Sequence, residues 1–117
     1  MINLEIAEFD GKGYFSPYQY GVWKIAYINW SEAFAKENIT YLERHNETDE
    51  VFVLLAGSAT LYLGEKGEPT EMEPCKAYVV KQSAWHAITV SKDAKVLIVE
   101  NTDTTRKNSD YMDFKIV

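Results

Sequence analysis

Glu43-Arg44-His45-Asn46-Glu47-Thr48-Asp49-Glu50-Val51-Phe52-Val53-Leu54-Leu55-Ala56-Gly57 changes character halfway: an unbroken polar run gives way at Val51 to an apolar one that Gly57 ends. Val, Phe and Leu in a short run bounded by a glycine read as a strand. Strand side chains alternate between faces, so Glu43 and His45 share one face while Arg44 takes the other. If a tight turn follows His45, Glu50 returns on the neighbouring strand with Phe52 and Leu54 on its own face. The segment then outlines a pocket with a polar mouth and an apolar floor.

The rest of the chain repeats this texture. Short runs rich in Val, Ile, Tyr, Phe and Trp, separated by Gly, Asn, Asp and Pro, predict strands over residues 22–30, 39–45, 50–55, 59–64, 77–80, 86–90, 95–101 and 111–116. No sustained helical period appears. Residues 31–37 fit one or two helical turns with Ser31 as N-cap, or a polar excursion. Residues 102–110 are polar throughout and read as an exposed loop before the last strand. Ala56-Gly57-Ser58 and residues 64–69 carry hairpin turn chemistry. This many short strands predict an all-β sandwich or barrel.

At 117 residues, with 46% hydrophobic and 26% charged residues, the chain suits one globular domain spanning 1–117. A net charge of -6 repels phosphate backbones and anionic lipid, which argues against nucleic acid or membrane partners. The single cysteine, Cys75, rules out an intramolecular disulfide and fits a reducing, cytoplasmic setting, with packing as its expected role. Neither a basic segment leading into an apolar one at the N-terminus nor a run long enough to span a bilayer is present, so neither export nor membrane insertion is expected.

Residues 45–57 also resemble the first motif of the cupin superfamily: two histidines one residue apart, a glutamate about five residues on, then six residues and a glycine. His45 stands at the second histidine, Glu50 at the glutamate and Gly57 at the glycine, while Glu43 occupies the place of the first histidine. Lys81-Gln82-Ser83-Ala84-Trp85-His86 resembles the end of the second motif with His86 at its histidine, although Lys81, Ser83 and Val90 replace that motif's proline, glycine and asparagine. The resemblance runs over residues 39–100 and implies a double-stranded β-helix, or jelly-roll barrel, in agreement with the strand count.

What the resemblance implies for the site is a metal held by His45, Glu50 and His86, with Glu43 as a fourth oxygen donor or a free base. Two imidazoles with one or two carboxylates suit manganese, iron, nickel, cobalt or zinc. Tyr41, in phase with His45, and Trp85, next to His86, join Phe52 as expected walls of a substrate pocket. Arg44 and Lys81 read as solvated charges. The activity that follows is a metal-dependent isomerase or epimerase moving a proton on a small polar metabolite such as a sugar or sugar acid. A cupin dioxygenase and a non-catalytic binding or sensing module are the alternatives. Apolar alternation at Ile2, Leu4 and Ile6 and at Met112, Phe114 and Ile116 leads to the further expectation of a homodimer.

Overall fold

Leucine, valine and isoleucine at alternate positions need a second apolar layer, and the chain supplies it by folding two sheets face to face. The computed structural model describes residues 3–117. Its strands are β1 (Gly13–Tyr20), β2 (Trp23–Asn29), β3 (Tyr41–His45), β4 (Glu50–Ala56), β5 (Ala59–Leu63), β6 (Glu68–Glu71), β7 (Ala77–Val80), β8 (His86–Val90), β9 (Lys95–Asn101) and β10 (Ser109–Asp113). One sheet has the order β1-β2-β9-β4-β7 and the other β10-β3-β8-β5-β6. All the strand pairs within them are antiparallel.

The inward residues of the two sheets form the core. Ala26 and Ile28, Phe52 and Leu54, Leu61, Ile88, Val96 and Ile98 are buried in it. Each large apolar side chain buried there contributes about 1.5–3 kcal/mol.

Two strands have no counterpart among those expected. β1 carries Pro17 and a register break between Phe15 and Tyr18, which interrupts its alternation. β6 is an exposed edge strand of Glu68, Pro69, Thr70 and Glu71, with no apolar face to announce it. The final strand begins and ends earlier than expected. Ser109 already pairs with His45, and beyond Asp113 the chain turns so that Phe114 packs against Tyr62 with ring centroids 6.4 Å apart. The stretch read as an exposed loop therefore ends in a buried residue, Ser109. Residues 31–37 form two 3-10 turns, Glu32–Phe34 and Lys36–Asn38, and the Ser31 side chain makes no capping bond. Cys75 is exposed in a left-handed backbone conformation and does not pack in the core.

The β3–β8 junction is thin. β2 and β9 are paired along their whole length from Trp23↔Asn101 to Asn29↔Lys95, whereas β3 and β8 meet at Glu43↔His86 alone. The second sheet is thus two ribbons, β10-β3 and β8-β5-β6, joined at one point. Beside it, the Ser83 N–H donates to the His45 carbonyl at 2.8 Å.

Candidate metal centre

The segment 46–49 does not turn β4 back alongside β3. It crosses from one sheet to the other, so Glu50 on β4 faces His45 on β3 across the barrel interior. This corrects the expectation of a neighbouring strand. A sandwich brings residues from its two sheets together across its core, which a hairpin cannot do.

His86, 3% exposed, comes in from β8 at the point where β8 meets β3. The Glu50 Oε1 atom lies 3.2 Å from both His45 Nε2 and His86 Nε2. Glu43 joins them, with ligand atoms of Glu43, His45 and His86 all within 4.8 Å of one another. The structure thus places Glu50 against both imidazoles, and Glu43 in a cluster with the same two rings. Phe52 forms part of the floor, its ring meeting His86 edge-on at 6.0 Å, and Tyr41 lines the same cavity near the mouth. Trp85 does not line it. Next to inward-facing His86 on the chain, it points outward, where the Arg44 guanidinium lies 4.5 Å above its ring. Adjacent strand residues take opposite faces, so the position that brings His86 in sends Trp85 out. Arg44 also pairs with Asp110 at 2.9 Å, and Lys81 with Asp49 at 2.8 Å, both away from the cavity.

The outer nitrogens of the imidazoles fix their protons. His86 Nδ1 lies 3.0 Å from the Ala84 carbonyl oxygen. A carbonyl only accepts, so Nδ1 carries hydrogen and donates it. His45 Nδ1 lies 2.8 Å from Ser109 Oγ, and that hydroxyl donates its own hydrogen to the Thr105 carbonyl at 2.7 Å. The hydroxyl oxygen is left to accept, so His45 Nδ1 is also the donor. In a neutral imidazole both Nε2 atoms then present lone pairs, and both aim at Glu50 Oε1, a buried oxygen with no hydrogen-bond partner. Three acceptors converging on one point need positive charge between them, either a bound cation or a proton carried by an imidazole. Second-layer bonds of this kind, which fix the tautomer of a ligating histidine, are what metal sites use. The donor set, two imidazoles and a carboxylate with Glu43 beside them, fits a divalent transition metal.

Electrostatics favours a cation there too. Burial alone lowers the histidine pKa values, but the Glu50 carboxylate against each ring outweighs it, and both His45 and His86 are raised above their ordinary value. Burial likewise opposes the charge on Glu50, yet the two imidazoles against it, when charged, and Glu100 hold its carboxyl below the usual range.

Glu100, Tyr14 and Lys24 were not singled out from the sequence. Glu100 on β9 is within hydrogen-bonding reach of Glu50, and burial together with the Glu50 charge pushes its pKa up to about 8. Tyr14 donates to Glu100 Oε1 at 3.0 Å, and Lys24 Nζ lies 3.4 Å from the same oxygen. One signal was available in the sequence: Glu100 is in phase with Val96 and Ile98 on the buried face of β9. The cavity these groups line has a volume of about 600 Å³, within the usual range for small-molecule sites.

No protein-family model matches the chain, and no curated protein matches it. Solved structures do resemble it. A cupin-2 domain protein from Shewanella frigidimarina superposes with a TM-score of 0.62 at 16% identity, over 80% of this chain and 84% of that one. An RmlC-like cupin with a double-stranded β-helix fold from Methanocaldococcus jannaschii gives 0.64 at 14%, over 86% and 93%. The Streptomyces protein Pac13, a nucleoside dehydratase, gives 0.67 at 11%, over 94% and 88%, and is also known in complexes with uridine. Likeness at this level of identity is likeness of fold, and the fold is that of the cupins: a double-stranded β-helix closed as a jelly-roll barrel.

Proposed function

We propose that this chain is a metal-dependent cupin enzyme that moves a proton on a small polar metabolite, a sugar or sugar acid, in a reaction of the isomerase or epimerase type. The observation that carries the metal is the convergence of two imidazole lone pairs and the unpartnered Glu50 oxygen, each imidazole held in its tautomer from behind. His45, Glu50 and His86 are the ligands, and manganese, iron, nickel, cobalt or zinc suits them. When bound, the metal supplies Lewis-acid polarisation of a carbonyl oxygen.

Glu43 stands beside the ligands on the cavity side and acts as the base. Its carboxylate takes the proton from the carbon next to the substrate carbonyl. The C–H electron pair becomes a carbon–carbon double bond, and the carbonyl oxygen takes the negative charge. Return of the proton to the former carbonyl carbon, with the hydroxyl proton of the adjacent carbon passing to the oxyanion, isomerises the substrate, and return to the other face of the original carbon epimerises it. Phe52, His86 and the core beneath keep water from the reacting end. Pac13 supports this reading only to the extent that a nucleoside dehydratase also acts on a small hydroxylated molecule.

Glu43→Gln is expected to keep most of the metal and lose turnover, whereas Glu50→Gln is expected to lose both. The check is metal content of untagged protein beside deuterium uptake from heavy water into a panel of sugars and sugar acids, read by mass spectrometry. Loss of metal from Glu43→Gln as complete as from His45→Ala would make Glu43 a ligand and remove it as the base. Oxygen consumption by the iron-loaded protein, without deuterium uptake, would move the reading to a dioxygenase. Binding without either would make the chain a sensing module.

We also propose a homodimer, on grounds that differ from the chain ends. Ile2 lies outside the described residues, Leu4 and Ile6 are exposed, and Phe114 is used within its own subunit. The outer face of the first sheet is the stronger argument. Two cross-strand rows, Ile25–Val99–Val51–Val79 and Tyr27–Leu97–Val53–Ala77, run across β2, β9, β4 and β7 without a charge. A sheet facing water on one side alternates polar and apolar residues, and this one does not. Two such faces related by a two-fold axis cover each other. Light scattering should give twice the chain mass at micromolar concentration, and Val51→Lys should halve it. A monomeric wild type rejects the proposal.

A further inference from the structure

The cavity also holds polar groups that the proton-transfer chemistry does not use. Lys24 pairs with Glu100 across the β2–β9 ladder, on the inward face with Ala26 and Ile28. Its side chain is only 14% exposed. Among the described residues its Nζ makes no hydrogen bond. It lies 3.4 Å from a Glu100 oxygen already taken by Tyr14, and 6.0 Å from the Tyr14 ring centroid. Two exposed lysines pair with carboxylates at closer range, Lys76 with Glu73 at 2.7 Å and Lys81 with Asp49 at 2.8 Å, and Lys95, 3.6 Å from Asp10, donates instead to the Phe9 carbonyl at 2.6 Å. Burying an ammonium with its donors unspent costs free energy that a purely structural role does not repay.

A second group points the same way. Thr104 lines the same cavity, and its Oγ1 is buried without a hydrogen-bond partner. Lys24 and Arg106 are the cationic side chains among the residues lining the cavity, with Arg106 at the mouth over the Tyr111 ring at 4.8 Å. An ammonium and a hydroxyl that line one cavity and are both free to donate match an oxyanion.

We infer that Lys24 and Thr104 form a subsite for the carboxylate of the substrate, which makes the substrate a hydroxy acid and not a neutral sugar. The inference rests on the reading that this cavity acts on a small polar metabolite. Lys24 binds the carboxylate as a charge-assisted donor, Thr104 donates its hydroxyl, and the hydroxyl-bearing carbons extend towards His45, His86 and Glu43. A singly charged planar group suits one ammonium, whose single charge a carboxylate matches.

The test is calorimetric titration of the full chain, with and without manganese, using glycerate, threonate and gluconate, each beside its neutral alcohol glycerol, threitol or sorbitol. At least one acid is expected to bind about tenfold or more tightly than its alcohol, the scale of one charge-assisted hydrogen bond. Lys24→Met should abolish that preference, Lys24→Arg should keep part of it, and Thr104→Val should weaken it several-fold. Metal content should stay at the wild-type level in all three. No preference for any acid, or a preference that survives Lys24→Met, overturns the inference. Preference in a protein that takes up no metal upholds the carboxylate subsite and sinks the metal reading, whereas metal uptake without preference does the reverse. Should Lys24→Met fail to fold, the wild-type comparison with Lys24→Arg and Thr104→Val decides.

Discussion

His86→Ala is expected to lower metal affinity by a hundredfold or more while leaving the barrel folded. The imidazole is a proposed ligand, and even the hydrogen-bonded groups behind such ligands are commonly worth about 10–100-fold in affinity. His86 is also the residue at which β8 meets β3, and its Nδ1 is anchored on the Ala84 carbonyl. Alanine therefore removes a ligand and leaves a hole beside Phe52. The apolar core of Leu61, Val96 and Ile98 does not depend on the cation, so the fold should survive. Metal content after desalting and far-UV circular dichroism together make the measurement. A variant that still retains one equivalent of manganese, nickel or zinc rejects His86 as a ligand, and with it the site as assigned.

Gly57→Ala is expected to cost about 3 kcal/mol, combining roughly 1 kcal/mol for a positive φ with the cost of overpacking. Gly57 has φ 68°, and a Cβ there would lie 2.6 Å from Ala94 Cα and 2.7 Å from Ala94 N, backbone atoms that cannot swing aside. The turn is tied from both sides, Ser58 N–H to Ser91 Oγ and Ser91 N–H to the Ser58 carbonyl, each at 2.9 Å. For a chain of this size the loss should appear as a fall in Tm on the order of 10 °C. Gly21 is the control. Its φ is 54°, with nothing within 4 Å of an added Cβ, so Gly21→Ala should lose only the smaller, conformational part. Equal losses in the two variants would show that the close approach to Ala94 contributes nothing.

Gly57 also shows why so much of this fold was legible. A glycine required by its neighbours' backbone sits at a fixed distance from Glu50, and that spacing is readable without coordinates. Alternation in β4, β8 and β9 is equally local. β1 and β6 were illegible because a bulge with a proline and an all-polar edge remove the alternation itself. In the site, His45, Glu50 and His86 could be placed because motif spacing links them. Glu100, Tyr14 and Lys24 could not: Tyr14 and Glu100 are 86 residues apart and meet only once β2 lies between β1 and β9. Trp85 was misplaced because adjacency in sequence to His86 means opposite faces in a strand. Ser109 was hidden in a polar stretch, and only the approach of β10 to β3 reveals that its hydroxyl fixes the His45 tautomer.

The single-point junction between β3 and β8 bears on how long a bound molecule stays. A ladder held at one register pair separates more readily than one paired along its whole length, so the two ribbons of the second sheet can part locally while the first sheet stays intact. Where release is coupled to opening of the seam, affinity and residence time need not move together. Besides the Ser83-to-His45 backbone bond, the side chains that tie the seam point away from the cavity: the Gln82 amide donates to the Asn46 carbonyl at 2.7 Å, and the Arg44 guanidinium lies over the Trp85 ring. Substitutions there would alter the lifetime of a complex without touching any group that contacts the ligand, making the exit rate a property of the sheet.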